Sequence, residues 1–238
     1  MVCFDYLKTR SRAGPDDFLK NFKGALQTDD GYAAYEYFSG HKDVTLLACM
    51  AHARRYFEQA LDNDESRAAH ALKLIQQLYA VERKAKQEKL GFQARHSLRE
   101  EEAVPVLKAL HQWLKDNATE VLPESTIGKA IAYNLKLWPR LQRYTENGQW
   151  SVDNNLIENS IRPVAPGRKN YLLTESCGFA GSHQAAQHAA LIYSLPGTCK
   201  LNGIEPFSWL REVLWKIPDT KLTNLHRLLP IKSNLKKV

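Results

Sequence analysis

The sequence predicts an α/β domain interrupted by a large all-helical insertion. Three observations carry this. The first fifty residues alternate short apolar runs with helix starts. Residues 51–147 switch to apolar spacings of three and four. Polar loops punctuated by Pro and Gly then return, followed by two more helical stretches.

Val2-Cys-Phe-Asp-Tyr6 is aromatic and β-branched enough for a strand. A basic turn over residues 8–14 leads to Pro15, which suits the first position of a helix, with Asp16 and Asp17 in its positive first turn. Phe18, Leu19 and Phe22 would form the buried stripe of that helix. Gly24-Ala-Leu-Gln-Thr28 reads as the next strand, ending at Asp29-Asp30-Gly31. Residues 32–38 suggest a short aromatic helix, and Val44-Thr-Leu-Leu-Ala-Cys49 a strand apolar enough to be central. Strands alternating with helices imply crossovers and helices packed on the sheet. The opening on a core-like strand at Val2 leads us to expect that earlier strands of the domain are missing.

In the insertion, residues 51–61 carry His52, Arg54 and Arg55 in their first turns. Leu72, Ile75, Leu78 and Tyr79 recur at helical spacing, and the Glu- and Lys-rich continuation to Lys89 reads as solvated. Ser97-Leu-Arg-Glu100 has the form of a capping box opening a helix with Val104, Leu107, Leu110 and Leu114 inward. Ile127, Ile131, Leu135 and Trp138 mark another helix, closed by Asn147-Gly148. Beyond a loop over residues 174–183, a helix over residues 184–195 is expected to stop at Pro196-Gly197. A last helix follows over residues 206–215, then a basic tail. The expected division is residues 1–50 and 150–215 for the two parts of the core, 51–149 for the insertion and 216–238 for the tail.

With 238 residues, 44% hydrophobic and 25% charged, the composition is that of a globular domain. No apolar run approaches the ~20 residues of a membrane span, and no signal-peptide pattern opens the chain. Four cysteines, Cys3, Cys49, Cys177 and Cys199, show no disulfide framework, so reduced thiols in a cytoplasm are expected. A net charge of +7 favours a polyanionic partner.

Chemistry concentrates in two places. Asp29 and Asp30 follow a strand at the end where open α/β sheets bind ligands. Glu158 lies beyond the insertion in a stretch rich in carboxylates, amides and cations, residues 151–170. Paired carboxylates suit Mg²⁺, a hard ion that takes oxygen ligands. Asp-Asp-Gly is equally a common turn, and Asn155-Leu-Ile-Glu158 equally a helix cap, so both readings stand open. Arg162, Arg168 and Lys169 could position phosphate through charge and, for arginine, a bidentate fork, or form a solvated loop. Cys49 and His52 have no second ligand pair at zinc spacing, which favours a buried thiol and a hydrogen-bonded histidine.

Leu26-Gln-Thr-Asp-Asp-Gly-Tyr-Ala-Ala-Tyr35, Cys49-Met-Ala-His-Ala-Arg-Arg-Tyr-Phe57, Asp153-Asn-Asn-Leu-Ile-Glu-Asn-Ser-Ile-Arg-Pro163, Gly167-Arg-Lys-Asn170, Ile192-Tyr-Ser-Leu195 and Cys199-Lys-Leu-Asn-Gly203 occur in this order. Together they resemble the transposases of the bacterial insertion sequence 66 family, over nearly the whole chain. The resemblance implies a ribonuclease-H-like core of the DDE type, its early strands missing here, with the helical insertion ahead of the last acid. It implies a second catalytic aspartate at Asp29 or Asp30, a glutamate at Glu158, and Mg²⁺ or Mn²⁺ held by Asp30 and Glu158. Arg54, Arg55, Asn154, Asn155, Arg162, Arg168 and Lys169 become candidate DNA contacts, and Cys49 with His52 a motif accompanying the core. The implied partners are transposon-end and target DNA, and a second copy or a full-length transposase, with no membrane and a nucleoid location when DNA-bound.

This sequence departs from the family pattern in four ways. The first catalytic aspartate and the N-terminal DNA-binding region lie upstream of Met1 in the family. Residues 174–178 look additional, and Pro196 would break a helix the family keeps. The expectation is a transposase core fragment inactive alone. The alternatives are a non-catalytic DNA-binding or inhibitory fragment, and a stand-alone nuclease recruiting Asp153.

Overall fold

Strands β1 (Gly24–Gln27) and β2 (Val44–Leu47) pair in parallel, in register from Gly24↔Val44 to Gln27↔Leu47. The computed structural model describes residues 1–8, 11–28, 33–162 and 182–231. Parallel neighbours need a crossover, and a 3₁₀ helix at Ala33–Gly40 lies within this one. By contacts the chain divides into two units, Ser11–Asn155 and Met1–Arg10 with Leu156–Val238.

In the first of these, α1 (Ala13–Phe18) is only six residues long. It turns Pro15 inward, while Phe18 and Phe22 stay exposed, against the expected buried stripe. The helix ends before Phe22 could share a face with Phe18. Helices α2 (Met50–Gln59), α3 (Glu65–Gln87), α5 (Val104–Ala118) and α6 (Thr126–Leu141) form a bundle, α2 and α5 each packing on both α3 and α6. Its interior holds Phe57, Ile75, Leu78, Leu110, Leu114, Ile131 and Leu141, in agreement with the helical spacing of the sequence. Asp64 caps α3 by accepting the Arg67 N–H, and Ser125 caps α6 by accepting the Gly128 N–H.

The expected helix start at Ser97 is overturned. The helix α4 (Phe92–Leu98) begins after Gly91 and runs through a π-helical turn, Arg99–Ala103, into α5. Ser97 sits inside it, donating its hydroxyl to the Gln93 carbonyl at 3.3 Å. Pro105 lacks the N–H that an α-helix would need there and would clash with the preceding turn, which accounts for the wider π turn. Gly148 is required by packing: a Cβ there would lie 1.8 Å from the Phe92 carbonyl oxygen.

In the second unit, the predicted strand over Val2–Tyr6 is instead an extended segment on α8 (His183–Asn202). The Val2 N–H donates to the Thr198 hydroxyl at 3.0 Å and the Phe4 N–H to the Ser194 hydroxyl at 2.7 Å. The alternation at Val2, Phe4 and Tyr6 is real, but hydroxyls spaced i, i+4 on a helix replace a neighbouring strand. The predicted break at Pro196 is also overturned, since α8 continues to Asn202. Ser182 caps it and Gly203, at φ 71°, ends it in the left-handed conformation. Gly197 serves packing, because a Cβ there would come within 3.3 Å of Val2. Helix α9 (Pro206–Lys216) is capped by Glu205, whose carboxylate accepts the N–H groups of Phe207 and Ser208.

Candidate functional site

The C-terminal ends of β1 and β2 are tied to the stretch beginning at Ser151. At the end of β1, Gln27 donates its side-chain amide to the Ala48 carbonyl at 3.1 Å and the Ser151 carbonyl at 3.2 Å. After β2, the Met50 N–H donates to the Val152 carbonyl at 3.1 Å. The Cys49 thiol donates to Asn154 Oδ1 at 2.9 Å, and the Asn154 N–H points back to Cys49 Sγ at 3.4 Å. Residues more than a hundred positions apart in sequence are thereby held side by side.

From this tether the chain enters α7 (Asn155–Ile161), which carries Glu158 in its first turn. The start is fixed by Asp153 rather than by Asn155, which is already helical. Asp153 Oδ1 accepts the Asn155 N–H at 3.1 Å. Its Oδ2 accepts the Asn155 amide at 2.8 Å and the Tyr79 hydroxyl at 2.9 Å. Burial and the neighbouring Asp153 charge push the Tyr79 phenol up, so it stays a donor at any ordinary pH. Burial likewise raises the Cys49 thiol, with Asp153 adding to the effect.

A buried ion pair braces the loop leading into Ser151. Arg99 is fully buried and forks onto Glu82 at 2.7 and 2.9 Å. Its remaining N–H groups donate to the carbonyls of Tyr144 (2.6 Å), Asn147 (2.9 Å) and Trp150 (2.9 Å), while the guanidinium lies over the Tyr144 ring. Arg95 binds the same carboxylate. Burial alone would raise the Glu82 carboxyl, but the Arg99 and Arg95 guanidiniums outweigh it and hold it below its ordinary value. Glu82, like Val81 and Ala85, is thus drawn inward from a stretch that the sequence marked as solvated.

Of the candidate residues, Asp29, Asp30, Arg168 and Lys169 lie outside the described residues. Glu158 is half-buried on α7; Asn155 and Arg162 are exposed. Asn154 is buried, its carbonyl oxygen taken by the Cys49 thiol, so its geometry is that of a structural tie. Arg54 and Arg55 are exposed on α2, Arg54 paired with Glu58 at 2.9 Å. His52 is half-buried in the first turn of α2, and Cys49 is a free, buried thiol at its N-cap.

Comparison with known proteins follows the same segments. Residues 1–187 match the family described as Transposase IS66 family, and residues 194–231 match the IS66 C-terminal element. The chain belongs to the IS66 family of transposases. It is 31% identical over 238 residues to the uncharacterized protein y4jD of Sinorhizobium fredii, covering 96% of this chain and 45% of that one. It is 31% identical over 244 residues to y4hP of the same organism, covering 94% and 43%. A 36-residue stretch is 47% identical to the uncharacterized protein YuaK of Escherichia coli, 15% of this chain and 38% of that one. The chain spans less than half the length of the two Sinorhizobium fredii relatives. No solved structure matches it.

DDE transposases use divalent metal, and among the described residues no group of three or more His, Cys, Asp or Glu side chains gathers as a metal site. Both oxygens of Asp153 accept protein hydrogen bonds, from the Asn155 N–H, the Asn155 amide and the Tyr79 hydroxyl. The helix-borne Glu158 is an oxygen donor of the type a hard cation takes. Among the described residues no helix is long and apolar enough to cross a membrane.

Sequence reasoning missed Gln27, Tyr79, Glu82 and Arg99. Gln27, a polar residue closing an otherwise apolar strand, carried a readable signal. Tyr79 was hidden in an apolar stripe, and its hydroxyl is what matters. Glu82 and Arg99 stand in stretches so charged that no single residue stands out.

Proposed function

We propose that this chain is the part of a DNA transposase that carries the second aspartate, Asp29 or Asp30, and the glutamate, Glu158, of a ribonuclease-H-like DDE site. The supporting observation is the tether of Gln27, Cys49 and Met50 to residues 151–154. It joins the strand that precedes Asp29 and Asp30 to the stretch that precedes Glu158, across the whole helical insertion. Family membership supplies the reaction class: metal-dependent cleavage of DNA strands and their transfer to a target.

In this reading Asp29 or Asp30 and Glu158 would hold Mg²⁺ or Mn²⁺, which supplies activation of the attacking oxygen and stabilisation of the leaving one. The chain's own contribution is placement. Asp153 sets the start of α7, the Cys49–Asn154 pair fixes the approach to it, and Arg99 stiffens the loop before it. The exposed Arg54, Arg55 and Arg162 are the proposed phosphate contacts, as side chains that position rather than read sequence.

The reading assigns two acids of the site and expects strand transfer by a transposase containing these 238 residues to depend on both. A strand-transfer assay with Mg²⁺ and transposon-end DNA tests this. Undiminished joining with Glu158→Gln would refute the assignment of the acids. The competing reading, a fragment that only binds DNA and sequesters an intact transposase, is separated by Glu158→Gln. Inhibition of an intact transposase would survive that change, whereas catalysis would not.

A further inference from the structure

We infer that the open cleft between the C-terminal end of α3 and residues 151–155 is a track for a DNA phosphate backbone. This rests on the reading of the chain as a DNA transposase and adds a surface that the acids do not define. The cleft is lined by Arg83, Lys86, Lys89 and Arg95 on one side and by Ser151, Asp153 and Asn155 on the other.

The charge of the cleft is not neutralised internally. Its two anions are Glu82, already bound by Arg99 and Arg95, and Asp153, held by Tyr79 and Asn155. Arg83, Lys86 and Lys89 are exposed, and among the described residues no ion pair takes them up. By contrast Lys84, on another face of the same helix, pairs with Glu102.

The spacing suits a phosphate chain. Arg83 and Lys86 are three residues apart on α3, about 4.5 Å of axis at ~1.5 Å per residue, and Lys89 follows just past the helix end at Gln87. The row of three faces successive phosphates, which lie ~3.4 Å of axis apart along one strand. Lys89 adopts φ 53°, the left-handed conformation that normally selects Gly or Asn just past a helix end. A lysine accepts that conformation at a cost of about 1 kcal/mol or more. Here its side chain lines the cleft, whereas a glycine would leave the position uncharged.

The test compares two charge-matched variants of the full 238-residue chain. One replaces the cleft cations (Arg83→Gln, Lys86→Gln, Lys89→Gln). The other replaces exposed lysines on other surfaces of the bundle (Lys73→Gln, Lys108→Gln, Lys115→Gln). Binding to a fluorescein-labelled 30-base-pair duplex is followed by anisotropy across a salt series, with circular dichroism to confirm folding. Neutralising three phosphate contacts should lower the log–log salt slope by about 2.7, from ~0.9 per phosphate, and weaken binding at least tenfold at low salt. The control variant should bind as the parent does. Equal loss in both variants would show a mere net-charge effect and overturn the cleft. Full binding by the cleft variant would also overturn it, while leaving the transposase reading intact. No binding by the parent chain would instead remove the DNA reading on which the cleft rests.

Discussion

Arg99→Met is the perturbation on which the architecture of the site can be judged. Methionine keeps much of the apolar stem and removes every donor. The buried guanidinium now makes two bonds to Glu82 and three to backbone carbonyls of the loop before Ser151. Breaking a buried ion pair from one side costs about 3–5 kcal/mol, and the lower end applies because Glu82 keeps Arg95. The Tyr144 carbonyl, left without its donor in a buried setting, adds about 1 kcal/mol. A loss of about 4 kcal/mol lowers the urea midpoint by about 2 M, taking a slope of about 2 kcal/mol per molar. Urea titration followed by helical circular dichroism measures it. A midpoint shift below about 0.5 M would refute the role of Arg99 as the brace. The double variant Arg99→Met with Glu82→Leu should recover part of the loss, since an apolar pair can replace a buried ion pair at little cost.

Other expectations follow from the same contacts. Because the Glu82 carboxyl is held low, its contribution is complete above the unfolded value of ~4.3 and lost as pH falls through the folded value. Stability measured from pH 6 down to 3 should therefore fall less steeply in Glu82→Gln than in the parent, from a lower starting point. Cys49→Ala leaves the buried Asn154 oxygen without its donor and should cost about 1–3 kcal/mol. In the parent, iodoacetamide at pH 8 should label exposed Cys3 well before Cys49, whose raised thiol is also buried. Gly148→Ala forces a methyl into the Phe92 carbonyl and should destabilise by about 3 kcal/mol or more, the range of the larger point-mutant effects. Pro196→Ala supplies the N–H that proline lacks inside α8 and should raise the thermal midpoint of the unit that contains it.

Much of the fold was legible because it rests on periodicity. Leu107, Leu110, Leu114, Ile127, Ile131 and Trp138 announce their helices by spacing alone, and the bundle buries them as that spacing requires. Proline misled where its local tendency lost to context, since Pro196 lies in a helix capped at both ends. The segment at Val2 has the alternation of a strand, yet its partner is a row of hydroxyls that no local pattern reveals. At the candidate site the acids were picked out by position and motif. The residues that hold their surroundings together, Gln27, Tyr79 and Arg99, act through single atoms on distant partners, which spacing cannot encode.

In the proposed DDE site, Glu158 and either Asp29 or Asp30 hold the metal together. Transposition frequency of an element whose transposase contains this sequence tests it most directly, with Glu158→Gln, Asp29→Asn and Asp30→Asn compared one by one. Glu158→Gln and one of the two aspartate changes are expected to reduce transposition to background while DNA binding persists. Transposition by Glu158→Gln at the parental frequency would contradict it.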